Sequence, residues 1–255
     1  MKKSISLYGI YLLTIALGAV FMSTTGIAQT IKLLDPLSAS SGVSEYSPGN
    51  LLNNSGLSSP LGTNGTVTTA DLSAMPTVDV SAISVNVSIN AFRQTSATLS
   101  SPLVFTLGGS YNLSGMYYYN YEEIYQGTYY NGRGIQTVDI QYSTDNGATY
   151  TDLGNFTLNE APQSPYDSGS LLSFGSTITN VTNIKFNSAT NYGDGGYIGM
   201  NEVRFQVQPV TVWTGSGTDN NWSTAGNWDQ NSVPISQSVL TFDGKTCSII
   251  SWACP

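Results

Sequence analysis

The sequence predicts an all-β protein, built as an antiparallel sandwich or barrel, on three observations. No convincing amphipathic helix occurs beyond residue 30 of the 255-residue chain. Apolar β-branched and aromatic residues instead alternate with polar ones, which is the period of a half-buried strand. Clusters of Gly, Asn, Ser and Pro separate these runs, as is typical of many short strands joined by loops. The predicted strands centre on residues 85–89, 103–107, 138–142, 156–158, 181–186 and 203–207.

Turn residues between the runs support the same fold class. The segment Asp145–Gly147 contains Asn-Gly and follows the run that ends at Tyr142. Asn and Gly tolerate positive φ, which a tight hairpin requires. Gly108-Gly109 and Asn131-Gly132 are interpreted as further turns. We therefore predict one all-β domain over residues 29–208.

The first 28 residues have the pattern of a secretory signal peptide. Two lysines follow Met1, an apolar run extends from Leu7 to Phe21, and small residues precede a cleavage point after Ala28. The apolar run is shorter than the roughly 20 residues that a membrane span needs. We therefore predict an exported, secreted or cell-surface protein, with no membrane span once residues 1–28 are removed.

Composition and charge exclude several classes of function. The formal net charge is −8, with 8 basic residues in the whole chain, which argues against a nucleic-acid partner. The chain has no His, so a Ser-His-Asp triad, a Cys-His dyad and a His-ligated zinc site are excluded. Cys247 and Cys254 could pair in an oxidising compartment, but the main body must be stable without a disulfide. These observations predict a protein that is not an enzyme.

A different pattern begins at Pro209. Trp213, Trp222 and Trp228 are three of the four tryptophans of the chain, and they fall in one short stretch. This spacing suggests one copy of a stacking unit, which cannot bury both of its faces alone. Residues 209–255 are thus expected to form a short C-terminal β segment. The last residues, from Lys245, follow no pattern that we recognise, as would be expected of an incomplete, truncated repeat.

Four segments of the main body resemble, in order, those of the discoidin-like family, the coagulation factor 5/8 type C domain that also serves as a carbohydrate-binding module. They are Asn50–Leu57, Leu103–Gly115, Arg133–Tyr150 and Tyr197–Phe205. The resemblance implies a jelly-roll β-sandwich with a glycan or an envelope polymer as its partner. The segment from Val210 resembles one autotransporter-associated β-strand repeat, which implies a bacterial envelope setting.

A tyrosine-rich stretch before Arg133 is the first candidate ligand-binding surface. Its tyrosines are interspersed with amide and carboxylate side chains. A sugar offers apolar C–H faces and hydroxyl groups, which such side chains can contact. We predict that Glu122, Tyr125 and Arg133 contact the ligand. Strand alternation predicts instead that Tyr117 and Tyr119 pack into the core.

The resemblance adds a second loop and a metal ion to these candidates. Sugar-binding members of the family supply an Asn from the region of residues 187–196, where Asn191 and Tyr192 are the matching candidates here. Some members hold a structural calcium ion between the early loop and the closing Glu. The matching positions are Asn53 and Glu202, whose oxygen atoms suit calcium. One structural calcium ion is therefore the expected cofactor.

The leading hypothesis is a secreted bacterial surface protein whose discoidin-like module binds carbohydrate without catalysis. Two alternatives remain open: a structural or adhesive envelope module without a sugar site, and a truncated remnant of a larger repeat protein. A glycosidase would need a pair of carboxylates, and Glu122, Glu123, Asp167 and Asp194 lie in polar stretches. At a pI near 4.2, however, solvated acidic loop residues are the simpler interpretation of these four.

Overall fold

The computed structural model describes residues 30–85, 90–208 and 210–228, together with residue 233 and residues 239–242. The predicted signal peptide and both cysteines lie outside the described residues. Within the described part of the chain, no helix is long and apolar enough to cross a membrane.

The described residues form mostly β-strands with very little helix. The strands are β1 (Thr30–Leu34), β2 (Ser38–Ser41), β3 (Val67–Asp71), β4 (Val78–Asp79), β5 (Phe92–Gln94), β6 (Leu103–Asn120), β7 (Ile124–Tyr125), β8 (Thr128–Tyr129), β9 (Ile135–Ser143), β10 (Thr151–Thr157), β11 (Tyr166–Asp167), β12 (Ser170–Asn191), β13 (Ile198–Val207), β14 (Val210–Trp213) and β15 (Val239–Phe242). The helices are α1 (Val80–Val85) and four short 3-10 turns, Pro48–Leu52, Leu72–Ala74, Asn131–Arg133 and Ala225–Asn227.

Two long strands bend and divide one antiparallel sheet into two layers. The order is β10-β9-β12-β6-β13-β1-β3, with β2 beside β6 and β5 beside β13. Residues 103–106 of β6 pair with β2 and with residues 183–186 of β12, whereas residues 113–120 pair with β13. Gly108, with a φ of 80°, and the register shifts of β12 lie between these paired halves. The predicted antiparallel sandwich is confirmed.

Aromatic rings join the two layers. The ring of Phe105 on β6 meets Phe186 of its own layer at 5.2 Å and Phe205 of the other layer at 5.3 Å, both edge-on. All three are fully buried and belong to the largest apolar cluster, which draws on β6, β9, β12 and β13. Edge-to-face pairs add to the apolar burial that holds a sandwich together.

A second apolar cluster covers the outer face of the layer that contains β13. Tyr117 and Tyr119 are buried there, as predicted, with ring centroids 5.6 Å apart. Val80 and Ile83 of α1 pack into the same cluster, because residues three apart lie on one face of a helix. The strand predicted over residues 85–89 is therefore wrong at Val85, the last residue of α1, while residues 86–89 lie outside the described residues.

The predicted turns have two different outcomes. Asn146 and Gly147 have φ values of 59° and 86° and join β9 to β10 in an antiparallel hairpin, as predicted. The turn predicted at Gly108-Gly109 is instead a bend inside β6, since the strand continues on both sides. The glycine spacing signals the change of direction, but only the pairing partners show that the strand does not end.

The C-terminal β segment forms a separate small sheet. β14 and β15 pair in parallel, unlike the strands of the main body. Trp213 and Trp228 are buried with ring centroids 5.0 Å apart. Asn227 is fully buried, and its side-chain amide donates to the carbonyl oxygens of Asp219 at 2.8 Å and Asn221 at 3.1 Å. The segment is thus organised by tryptophan packing around one asparagine.

Candidate functional site

Two arginines lie close to one tyrosine ring in the main body. The guanidinium carbons of Arg93 and Arg133 lie 4.4 Å and 4.6 Å from the ring centroid of Tyr197. Arg93 also lies 4.2 Å from the ring of Tyr46, and Arg133 lies 4.1 Å from the ring of Tyr130. We call these five residues the arginine–tyrosine cluster. Its three tyrosines are half-buried, so part of each residue reaches the surface.

Carboxylates hold the two guanidinium groups in place. Glu123 Oε2 accepts from Arg133 Nη1 at 2.7 Å, from Arg93 Nη1 at 3.3 Å and from the Tyr121 hydroxyl at 2.7 Å. Glu45 binds Arg93 through both carboxylate oxygens, at 2.8 Å and 3.0 Å. A bidentate arginine–carboxylate pair fixes orientation as well as charge. The cluster is therefore rigid before any ligand arrives.

Four separate parts of the chain bring the cluster together. Arg93 lies on β5, where it pairs with Gly199 of β13 and forms a bridge to Tyr46. Arg133 is the last residue of a 3-10 turn. Tyr130 begins that turn, and its N–H donates to the Glu123 carbonyl at 2.8 Å, which closes the base of the β7–β8 hairpin.

The fourth part is the loop between β12 and β13, which is closed by its own side chains. Asp194 Oδ1 accepts from the backbone N–H groups of Gly196 at 2.8 Å and Tyr197 at 2.9 Å. The Asn191 amide donates to the carbonyl oxygens of Asp194 and Tyr197 at 2.6 Å and 2.7 Å. Asp194 Oδ2 also accepts from Arg133 Nε at 3.2 Å. This loop thus positions Tyr197 against both arginines.

The two arginines differ in what remains free for a ligand. Arg93 uses Nε, Nη1 and Nη2 in hydrogen bonds to Glu45, Tyr121, Glu123 and Tyr46. Burial alone would lower the pKa of Arg93, but these contacts outweigh it and raise the pKa. Arg133 binds Glu123 and Asp194 through Nη1 and Nε, and the Tyr121 hydroxyl also interacts with its guanidinium group. Because its Nη2 group makes no ion pair with these two carboxylates, we take Nη2 of Arg133 as the candidate donor to a bound molecule.

The sequence-predicted site residues occupy different environments. Arg133 lies in the arginine–tyrosine cluster. Tyr125 is 55% exposed, on the hairpin whose base holds Glu123 and Tyr130. Asn191 is buried and closes the loop described above, so it positions the cluster. Tyr192 is half-buried, and its hydroxyl donates to the Leu158 carbonyl oxygen.

Glu122 is not on the surface of the protein. Its side chain is fully buried, and neither carboxylate oxygen makes a hydrogen bond of normal geometry. Burial raises its pKa to about 7, helped by the negative charge of Asp167 and opposed by the backbone N–H groups of Gln163 and Ser164. A ligand cannot reach this carboxyl in the present conformation, so the predicted contact from Glu122 needs correction.

The two residues predicted to hold calcium lie in different environments. Asn53 is exposed, and its Oδ1 accepts from the Ser55 N–H at 2.8 Å. Glu202 is buried, and its Oε2 accepts from Arg204 Nη1 at 2.8 Å. Within the described residues, no group of three or more acidic, His or Cys side chains gathers as metal ligands. The expectation of calcium binding stays a prediction.

Sequence inspection missed Arg93, Tyr46 and Tyr197. Each lies far along the chain from the tyrosine-rich stretch, and the antiparallel pairing of β5 with β13 brings them together. One signal could have found Arg93: the chain has only three arginines, Arg93, Arg133 and Arg204. All three form ion pairs with acidic residues.

No protein-family model and no curated protein matches the chain. An F5/8 type C domain from Bacteroides fragilis is 14% identical with a TM-score of 0.32, over 42% of this chain and 64% of that one. A family 32 carbohydrate-binding module from Clostridium perfringens, solved with galactose, is 15% identical with a TM-score of 0.41, over 69% of this chain and 99% of that one. A chitosan-binding module of a chitosanase/glucanase from Paenibacillus sp. IK-5 is 11% identical with a TM-score of 0.40, over 68% of this chain and 95% of that one. The match to the F5/8 type C domain covers less than two thirds of that domain.

Proposed function

We propose that the main body is a non-catalytic module that binds a glycan through the arginine–tyrosine cluster. The observation that carries the proposal is the position of Arg133, whose guanidinium carbon lies 4.1 Å from the ring centroid of Tyr130 and 4.6 Å from that of Tyr197. A planar guanidinium can donate to sugar hydroxyls, while adjacent ring faces contact apolar C–H groups. Galactose and chitosan are the ligands named for two of the compared modules.

The rigidity of the cluster supports this function. Arg133 is fixed by Glu123 at 2.7 Å and by Asp194 at 3.2 Å, so little side-chain freedom is lost when a ligand binds. Two guanidinium groups face three carboxylates, of Glu45, Glu123 and Asp194, which leaves no excess of positive charge. A neutral polyhydroxyl ligand therefore suits the cluster better than a strongly anionic one.

The same contacts argue against catalysis by the acidic residues of this region. A glycosidase needs two carboxyl groups that both reach the substrate. Glu122 and Asp167 are buried, and Glu123 and Asp194 are engaged by Arg133. None of the four acidic candidates from the sequence therefore offers a free carboxyl group to a substrate.

Arg133→Ala is expected to lower glycan affinity about tenfold or more, because a ligand hydroxyl loses a charged donor and two tyrosine rings lose their support. A glycan array with the purified protein identifies a ligand, and calorimetric titration then measures the change. Arg133→Lys is expected to restore little, since an ammonium group cannot reproduce the planar stacking.

Lys185→Ala is the matched control. Lys185 lies on β12 with its Nζ 4.0 Å from the ring of Tyr150, so it is a cation on a tyrosine outside the cluster. Its loss should leave affinity unchanged. Equal affinity of the folded Arg133→Ala variant and the unaltered protein would contradict the site. An array without any bound glycan would favour the structural or adhesive alternative.

Export of the protein is a separate part of this proposal. If residues 1–28 are a signal peptide, mass analysis of protein collected outside the cytoplasm of a bacterial host should find Gln29 at the N-terminus. Retention of Met1 in that fraction would refute the cleavage.

A further inference from the structure

Arg204, on β13, is enclosed by oxygen atoms from separate segments of the chain. Its Nη1 donates to the Leu51 carbonyl at 2.9 Å, to Glu202 Oε2 at 2.8 Å and to the Val203 carbonyl at 2.7 Å. Its Nη2 donates to Asn54 Oδ1 at 2.8 Å. The side chain is 1% exposed, and these oxygen atoms take the place of water around Nη1 and Nη2, whereas Nε makes no hydrogen bond.

A further oxygen comes from Asp35, which follows β1. Its Oδ1 lies 3.5 Å from Arg204 Nε, and Asp35 and Glu202 are both almost completely buried. A buried carboxylate without a nearby cation is strongly unfavourable. Arg204 pairs with both of them. We call this group the Arg204 cage: Arg204 with the oxygens of Asp35, Leu51, Asn54, Glu202 and Val203.

The donors of the cage are those that a hard divalent cation prefers. Carboxylate, amide and backbone carbonyl oxygens are the ligands that calcium takes in proteins. In this chain, however, a guanidinium group lies among them. The early-loop residue that faces the group is Asn54 rather than Asn53, whose Oδ1 accepts from Ser55 instead. The residues present therefore do not fit a calcium ion while Arg204 is in place.

We propose that Arg204 is a built-in substitute for a metal ion, which joins the early loop to β13 so that the protein takes no calcium at this position. The cage fixes residues 51–54 to the closing strand, and Asn54 also accepts from the Leu61 N–H at 2.8 Å and donates to the Gly62 carbonyl at 2.7 Å. The early loop is thereby held without dependence on ion concentration. The inference is independent of the proposed glycan binding, because the cage and the arginine–tyrosine cluster share no residue.

The first experiment compares thermal unfolding of the purified protein in millimolar calcium and in chelator. If an ion binds only the folded state, the Tm rises as the concentration of that ion increases. The proposal predicts equal Tm values in both conditions. A rise in Tm with calcium that disappears in Glu202→Gln would overturn it.

The second experiment tests whether Arg204 acts through its charge. Arg204→Met is expected to lower the Tm by about 10–20 °C, because one removed partner leaves buried carboxylates uncompensated. A triple variant combines Arg204→Met with Asp35→Asn and Glu202→Gln, which replace the two carboxylates by neutral amides of nearly the same shape. This triple variant is expected to recover about half of the lost Tm or more.

The matched control keeps Arg204 and carries only Asp35→Asn and Glu202→Gln. This double variant is expected to have a lower Tm than the unaltered protein, since it leaves a buried cation alone. If Arg204→Met does not fold, recovery of a folded triple variant gives the same comparison. A triple variant no more stable than Arg204→Met, or unfolded like it, would show that Arg204 acts by packing and would overturn the proposal.

Discussion

Gly199→Ala is expected to destabilise the protein by about 3 kcal/mol, the upper end of the range for overpacking a filled interior. A Cβ atom at this position would lie 2.3 Å from the Phe92 carbonyl oxygen and 2.6 Å from Cδ2 of Tyr121. The carbonyl belongs to β5, which pairs with β13 at this point, so it cannot move away without breaking the strand pairing. Urea unfolding followed by tyrosine and tryptophan fluorescence measures the change.

Gly195→Ala is the control for this prediction. Gly195 lies in the nearby loop before β13, and no atom lies within 4 Å of a Cβ built there. The change should stay within about 0.5 kcal/mol of the unaltered protein. Equal stability of the two variants would contradict the close packing of β5, β13 and Tyr121.

Stability is expected to fall as the pH rises from about 4 to about 8, by on the order of 3 kcal/mol, because of the buried Glu122 carboxyl. Burial raises the pKa of Glu122 to about 7, and the negative charge of Asp167 adds to the effect. This carboxyl binds its proton more tightly in the folded protein than in the unfolded chain. Its stabilising effect is complete below the unfolded pKa and is lost as the pH passes the folded pKa.

At strongly acid pH the stability is expected to fall again, because other carboxyl groups become protonated. Hydrogen bonds from Thr149 and Ser143 lower the pKa of the exposed Asp145 to about 2, so its contribution is lost at strongly acid pH. Because stability is lost both at strongly acid pH and as the pH rises towards 8, it is expected to be highest at roughly pH 4 to 5. Urea midpoints measured across the pH range give the profile.

Glu122→Gln is the informative variant, because an amide keeps the shape and does not titrate. The fall in stability between about pH 4 and pH 8 should therefore largely disappear, since the carboxyl responsible for it is gone. The groups that face Glu122 are Asp167 and Glu160, which repel it, and the backbone N–H groups of Gln163 and Ser164. An unchanged profile in Glu122→Gln would show that Glu122 does not titrate in this range.

Strands could be predicted where only one face is buried, because apolar and polar residues then alternate along the chain. Leu103, Phe105 and Leu107 alternate with partly exposed residues in β6, as the sequence predicts. The signal fails where tertiary contacts bury both faces of a strand. β13 is buried at nine of its ten residues, so alternation could not show which face meets the core. At α1, Val80 and Ile83 pack in one cluster with Tyr117 and Tyr119, and this helix extends to Val85, where the strand was predicted to begin.

The candidate site was only partly predictable. Arg133 stands out because arginine is rare in this chain, whereas Glu122 looks like an exposed loop residue among polar neighbours. It lies two residues after the end of β6, next to residues of the 160–167 segment, and the Asn201 amide of β13 donates to its backbone carbonyl at 3.2 Å. Which polar residue is buried depends on what packs over it, and that information is not local.

The sequence by itself determined the β class, the turn at Asn146-Gly147, the buried tyrosines of β6 and the acidic, histidine-free chemistry. These properties follow from residue type and from spacing along the chain, which act over a few residues. Only the tertiary structure decided that Arg93 and Arg133 share Tyr197, and that Arg204 lies where calcium was expected. Those arrangements join residues as far apart as Leu51 and Arg204, and antiparallel pairing, rather than any local pattern, brings such residues together.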